Sequence, residues 1–234
     1  MQNIENIAQQ YNPSDDFDTH LTKQSGIIIA PRINGKNVLE MGCLDGYMTG
    51  MLLKSANSVE IVEGSEIFVK NIRTLYKDSV TVYHSLFERF NPDKYYDAIV
   101  LAHVLHHMHD PESLLNRIKT WLVPQSGRLY ITVPNMLSLH RQIGVKMGLL
   151  KDVFDSSERN IKFDQPGRYT KEKLIRQIKS CGFHVVECFN FFLKPFSNEQ
   201  MKALKPSKEL IVALFEIGKQ FEEIACHIFL EAAP

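Results

Sequence analysis

A doubly wound α/β sheet is the fold class that this 234-residue chain predicts. Short apolar runs alternate with amphipathic helical stretches, the first run enters a turn built from an acid and glycines, and a second acid closes the next run 23 residues further on. Strand and helix in alternation pack as a parallel sheet with right-handed crossovers. Sheets of this kind bind ligands beyond the carboxyl ends of their strands.

An N-terminal segment, 1–35, reads as helical. The first strand and its turn follow in residues 36–47, Lys-Asn-Val-Leu-Glu-Met-Gly-Cys-Leu-Asp-Gly-Tyr. Val38 and Leu39 suit a buried strand, Gly42 lets the backbone approach a ligand, Asp45 is a helix-capping residue, and Gly46 lets the next helix pack closely. A dinucleotide fingerprint would have a glycine where Glu40 stands; a carboxylate there repels phosphate and favours a cationic ligand. The second strand, 59–62, ends on Glu63, at the spacing of an acid that accepts hydrogen bonds from two ribose hydroxyls. Gly64 and Ser65 then lead into a helix carrying Ile67, Phe68, Ile72 and Leu75.

The third strand is 80–83. The fourth, 96–101, runs into Ala102-His103-Val104-Leu105-His106-His107-Met108-His109-Asp110-Pro111. Asp110 as cap and Pro111 at the first helical position start a helix with Leu114, Leu115, Ile118, Trp121 and Leu122 as its buried stripe. The fifth strand, 127–133, ends at Pro134-Asn135. Residues 136–168 form an insertion, with Leu137, Ile143, Met147, Leu149 and Leu150 spaced for one or two short helices. It follows a strand's carboxyl end and is therefore placed as a lid over a substrate. Thr170 caps a helix with Leu174, Ile175 and Ile178 inward and Gly182 as its stop. Residues 185–192 are the sixth strand, Ser207 caps a helix carrying Leu210, Ile211, Leu214, Phe215 and Phe221, and 226–230 is a final strand. The expected organisation is a binding core over 36–135, the insertion over 136–168, and the remainder of the same core over 169–234.

Glu40-x-Gly42-x-x-x-Gly46 resembles the first motif of the class I S-adenosylmethionine-dependent methyltransferases, with Leu44 where that family has a middle glycine. The strand, histidine-rich turn and Asp110-Pro111 helix start resemble the ubiquinone-biosynthesis type of small-molecule methyltransferase, with His106 in a glutamate's place and His107 matching. The resemblance implies a Rossmann-like sheet of about seven strands, mostly parallel, with an antiparallel last strand inserted between the fifth and sixth. It implies S-adenosyl-L-methionine as cofactor. Glu40 would lie near the cofactor's charged end, with Gly42, Cys43, Gly46 and Tyr47 in the turn beneath it and Glu63, Gly64 and Ser65 at the ribose. Ser85 and Leu86 would meet the adenine, and backbone at Ala102 and His103 the methionine part.

The implied activity is methyl transfer to a small-molecule acceptor, in which positioning carries most of the catalysis. For an oxygen nucleophile a histidine near neutrality is the usual base; His107 is the first candidate and His140, in the insertion, the second. Four histidines in seven residues also admit a metal reading, with His103 and His107 on one helical face. No cysteine lies close by and Asp110 is the one carboxylate at a ligand spacing, so no metal is expected. Two alternatives use similar motifs. A nicotinamide-dependent oxidoreductase is opposed by Glu40 and the missing phosphate-loop glycine, and a noncatalytic cofactor-binding scaffold would carry every binding motif.

Equal numbers of basic and acidic side chains, 27 each, leave no charge excess for general nucleic-acid binding. The apolar runs fall short of the roughly 20 residues of a membrane span. The four cysteines show no C-x-x-C spacing and residues 1–10 lack a basic-then-apolar leader, so a cytoplasmic location is expected. Residues 136–180 hold ten Lys or Arg against five Asp or Glu, which fits either an anionic acceptor or a solvated charged face. The insertion looks like that of methyltransferases associated with sugar and surface-polysaccharide biosynthesis, implying a sugar-containing acceptor; a quinone-like phenol would suit the aromatic residues almost as well.

Overall fold

Seven strands form one sheet in the order β3-β2-β1-β4-β5-β7-β6. They are β1 Asn37–Met41, β2 Ser58–Glu63, β3 Thr81–His84, β4 Ala98–Ala102, β5 Arg128–Pro134, β6 His184–Phe191 and β7 His227–Ala233. The computed structural model describes residues 2–11 and 17–234. β1 pairs in parallel with β2 and β4, β2 with β3, and β4 with β5, while β7 runs antiparallel between β5 and β6. The strand order reverses between β1 and β4, so a crevice opens there at the carboxyl edge of the sheet.

The central strands are buried on both faces, and their side chains alternate between two cores. Leu39, Ile99, Leu101, Leu129 and Ile131 share one core with Leu114, Ile118 and Trp121 of α5 (Pro111–Trp121) and Leu174 and Ile178 of α8 (Lys171–Ser180). Val38, Ile61, Val100 and Tyr130 share the other. The helices on that face are α2 (Asp18–Ile29), α3 (Tyr47–Leu52), α4 (Glu66–Tyr76) and α10 (Lys208–Gln220). The chain begins with α1 (Gln2–Gln10), and the insertion holds α6 (Leu139–Lys146) and α7 (Glu158–Lys162).

The helix starts follow local chemistry. Asp110 Oδ1 accepts from Ser113 N–H at 3.0 Å with Pro111 behind it, and Thr170 and Ser207 accept from the amides of Lys173 and Leu210. Asp45 does not cap α3 as expected; Gly46 occupies the cap with φ +81°, and Asp45 Oδ1 instead accepts from Tyr47 N–H. A short helix that the apolar pattern did not predict, α9 (Asn198–Ala203), starts with a reciprocal Ser197–Gln200 capping box. Leu75, Leu210 and Phe221 are exposed, as are Met147 and Leu149 of the insertion. Single apolar side chains at helix margins need no core partner. β7 extends to Ala233 because β5 and β6 offer it ladder partners along its whole length.

Candidate active site

A cavity of about 840 Å³ lies along the carboxyl edge of the sheet. That volume is in the upper part of the range for ligand clefts, about 300–1,000 Å³. Its walls come from the turns after β1, β2, β4 and β5, from α1, from the insertion, from the segment after β6 and from the start of β7.

Glu63 stands in the wall at the tip of β2. Its Oε2 accepts from Cys43 N–H at 3.0 Å and its Oε1 from Ser65 N–H at 2.8 Å, so two turns hold the carboxylate in one orientation. Oε2 also accepts from the Cys43 thiol at 3.5 Å, a weak bond that a ribose hydroxyl can replace, and Oε1 keeps a lone pair beyond its backbone bond. Gly42 has φ +78°, and a Cβ there would lie 2.9 Å from a Val104 methyl; the bare backbone forms part of the cleft floor. Gly64, Leu86, Phe87 and Ile4 add a mixed apolar wall beside Glu63. Leu44, at the place of the family's middle glycine, adopts φ +49°, the left-handed conformation that a glycine takes without steric cost.

Glu40 sits elsewhere than expected. It is 1% exposed and is not part of the cavity wall. Its Oε2 accepts from Thr49 Oγ1 at 2.6 Å, and Oε1 is buried with no partner. Burial, offset by the Thr49 bond and reinforced by the charges of Glu63 and Asp45, pushes its pKa up to about 8. The two glutamates therefore do not converge on the cleft: Glu63 faces it, and Glu40 lies behind it, because α3 packs its first turn over the tip of β1. Four other expected cofactor contacts also fall outside the wall. Gly46 is a packing residue, where a Cβ would meet Ile72 at 2.5 Å. Tyr47 is 38% exposed at the start of α3. Ser65 is buried as the cap of α4, accepting from Phe68 N–H and donating to Glu5 Oε2 at 3.0 Å. Ser85 turns its hydroxyl onto the carbonyl of Leu86. Gly42, Cys43, Glu63, Gly64, Leu86, Ala102 and His103 do line the cavity.

The histidine turn after β4 forms the middle of the cleft. His103 and His107 do not share a helical face: His103 has φ +60°, and His107 closes a short 3-10 turn, Leu105–His107. Among the described residues no group of three His, Cys, Asp or Glu is placed to hold a metal ion. Ser25 Oγ donates to Leu21 O, so it accepts from His103 Nε2 at 3.1 Å. His107 Nδ1 donates to the carbonyl of Phe163 at 3.0 Å. That bond leaves Nε2 as the basic nitrogen. Burial, opposed by hydrogen bonds to the backbone of Phe163 and Asp164, keeps the His107 pKa below the ordinary imidazole value. The insertion is bonded to this turn again through Gly167 N–H to His106 O at 2.9 Å.

His140 also lines the cavity; burial and the charges of Lys194 and Arg141 hold it well below the usual histidine range, and its Nδ1 has no partner. The basic insertion turns out to spend most of its arginines on its own backbone. Arg141 holds the carbonyls of Val153 and Asp155, and Arg168 those of Phe154, Gln165 and Gly167.

Sequence reasoning missed the far wall. Asp18 at the start of α2, Arg159 of α7, Lys194 after β6, Asn198 of α9 and His227 at the start of β7 all line the cavity. His227 had a usable signal. An antiparallel last strand begins where the parallel strands end, and His227 is registered against Pro134 of β5 and Phe191 of β6.

A model of the methyltransferase domain family matches residues 20–187. Two Mycobacterium tuberculosis proteins described as probable S-adenosylmethionine-dependent methyltransferases are 26% identical over 129 residues, 54% of this chain and 47% of theirs, so the match spans about half the length of these relatives. Among solved structures, the Bradyrhizobium japonicum N-methyltransferase NodS with S-adenosyl-L-homocysteine superposes with a TM-score of 0.58 at 14% identity, covering 92% of this chain and 86% of that one. The Synechocystis magnesium protoporphyrin IX methyltransferase, also with S-adenosylhomocysteine, gives 0.62 at 13% identity over 92% and 83%. These two likenesses concern the fold. The family match overturns the nicotinamide alternative. With the sheet order, the glycine turn at β1 and the acid at the tip of β2 in place, the chain belongs to the class I S-adenosylmethionine-dependent methyltransferase family.

Proposed function

We propose that this chain binds S-adenosylmethionine at the β1–β2–β4 end of the cavity and methylates an oxygen nucleophile on a small acceptor, a sugar or another anionic metabolite, held at the β5–β7–β6 end. When bound, the cofactor supplies an electrophilic methyl group on a positively charged sulfur. Glu63 fixes the ribose, Gly42 and Cys43 offer close backbone contact, and Leu86 and Phe87 provide apolar surface for the base.

The observation that carries the oxygen-acceptor reading is the hydrogen bond from His107 Nδ1 to Phe163 O. It fixes the tautomer in which Nε2 bears the lone pair, and the lowered pKa keeps that nitrogen unprotonated at neutral pH. A neutral imidazole in this wall can take the hydroxyl proton as the new carbon–oxygen bond forms. Carbon and nitrogen acceptors make different demands on such a base, and His140 offers no comparable fixed tautomer.

Transfer of labelled methyl from S-adenosylmethionine into a panel of sugars, hydroxy acids and phenols tests the proposal. Label in an ether or ester oxygen substituent, lost in a His107→Ala variant that still binds the cofactor, is the expected result. Cofactor binding with no labelled product from the panel or from a metabolite extract would favour the noncatalytic scaffold.

A further inference from the structure

The histidine turn carries a second buried imidazole beside the proposed base. His106 is 3% exposed and lines the cavity, and its ring lies next to that of His107, with centroids 4.3 Å apart. The insertion pins its backbone: Gly167 N–H donates to His106 O at 2.9 Å, and a Cβ on Gly167 would lie 2.7 Å from His106 Cα. Burial, reinforced by the neighbouring His107, His103, His227 and Arg159, holds the imidazole well below its ordinary pKa, so the ring is neutral and carries one proton. Its Nδ1 is buried and has no partner among the described residues. A proton there would leave an orphaned N–H, the rarer kind of unpaired group in an interior, so the proton sits on Nε2. The ring lines the cavity with Nδ1 turned away from it, which puts Nε2–H on the open side. His107 has the opposite polarity, since its Nδ1–H is spent on Phe163 O and its Nε2 bears the lone pair. The turn thus offers one donor and one acceptor side by side.

We propose that His106 and His107 hold one acceptor hydroxyl between them, and that the His106 donor makes the site selective for oxygen over nitrogen. This rests on the methyltransferase reading of the same cleft. Hydrogen bonds of about 2.9 Å from two nitrogens to one oxygen, at a tetrahedral angle, place those nitrogens about 4.7 Å apart. The two rings stand at a matching separation. A hydroxyl oxygen has one proton and two lone pairs. The O–H bond breaks as the proton passes to His107 Nε2, one lone pair forms the bond to the methyl carbon, and the carbon–sulfur pair leaves with the sulfur as a neutral thioether. The second lone pair accepts from His106 Nε2–H throughout, which restrains rotation about the C–O bond and keeps the attacking pair in line. His106 neither gains nor loses a proton, because the imidazolium formed at His107 opposes a second charge beside it. A neutral amine nitrogen has a single lone pair. Accepting from His106 would spend the pair that must attack, so the donor that orients an alcohol or phenol disables an amine.

Two measurements on the full chain test this. The first is 15N NMR of histidine-labelled protein saturated with S-adenosylhomocysteine, the His106 signals being identified by their loss in His106→Gln; at pH 7 the proton is expected on Nε2 of His106 and on Nδ1 of His107. The second is transfer of labelled methyl from S-adenosylmethionine to 4-aminophenol and glucosamine, each of which carries a hydroxyl and an amine. Wild type is expected to label oxygen at least tenfold over nitrogen. His106→Leu, which has no donor, should lose that preference and at least tenfold in kcat, with S-adenosylhomocysteine affinity within twofold; His106→Gln, whose amide keeps a donor, should recover part of both. The proposal is overturned by a proton on Nδ1 of His106, by a charged His106 at pH 7, by a wild type that prefers nitrogen, or by a His106→Leu protein that keeps the oxygen preference. Should His106→Leu fail to fold, the tautomer and His106→Gln decide, and a Gln variant without any oxygen preference overturns the proposal. With no label on either probe the tautomer alone decides. Failure of S-adenosylhomocysteine to bind the wild type is a separate result, which would remove the methyltransferase reading itself.

Discussion

Replacing Glu63 by Gln leaves the size of the side chain unchanged and exchanges one acceptor oxygen for an NH2 group. Both oxygens are engaged by backbone amides, at 3.0 Å from Cys43 and 2.8 Å from Ser65, so one amide would face a donor whichever way the new side chain turns. A hydrogen bond to a charged group contributes about 1.5–3 kcal/mol. One such loss lowers the melting temperature by roughly 3–12 °C for a domain of this size. The same substitution removes the charge offered to the ribose. Losing one charge-assisted bond there weakens cofactor binding by about 10- to 150-fold at 1.4 kcal/mol per tenfold. Calorimetric titration with S-adenosylhomocysteine measures the second effect, and a circular dichroism melt with and without ligand the first. A folded Glu63→Gln protein whose S-adenosylhomocysteine affinity stays within twofold of wild type would refute the ribose assignment.

Other expectations follow from the same geometry. His107→Ala should lower turnover at least 100-fold with little change in cofactor affinity, and wild-type turnover should fall as pH drops through a value below 6.5, since the base must be unprotonated; a pH-independent profile between 5 and 8 would count against that role. Stability should pass through a maximum near pH 6.5–7. Histidines 103, 106, 107, 140 and 227 are all depressed by burial, so the unfolded chain binds more protons below their ordinary value and stability is lost on acidification. Glu40 acts in the opposite sense, because its raised pKa makes the folded state hold a proton that the unfolded chain releases between about 4.5 and about 8. Glu40→Gln should therefore flatten the fall in melting temperature between pH 6.5 and 9, and an unchanged slope would show that Glu40 is not protonated when folded. Gly167→Ala places a Cβ 2.7 Å from His106 Cα and should lift the insertion from the histidine turn, cutting turnover more than cofactor affinity; full activity would show that the contact gives way cheaply.

The sheet was legible in the sequence because most strands are short apolar runs and some of the helices between them start on a capping signal, as at Asp110-Pro111 and Thr170. The β1–β2 end of the cleft was legible for a related reason: Gly42 and Glu63, which both line it, are separated by one βα unit, a distance that the chain itself counts. What failed was side-chain direction at a strand tip. Glu40 and Glu63 end neighbouring strands, but α3 closes over one and leaves the other in the cleft. The far wall could not be counted along the chain, since Asp18, Arg159 and Lys194 meet across about 180 residues of separation. The basic composition of the insertion was a poor guide for a specific reason. Arg141 and Arg168 are consumed by loop carbonyls, and Lys194, a buried cation of the far wall, lies outside the insertion.

The most direct test of the central claim is a crystal structure of the chain with S-adenosylhomocysteine. The account predicts the two ribose hydroxyls on the Glu63 carboxylate, the ribose over Gly42, and the thioether sulfur directed toward the His107 side of the cavity. A nucleoside bound elsewhere, or bound in this cleft with Glu63 turned away from its ribose, would contradict it.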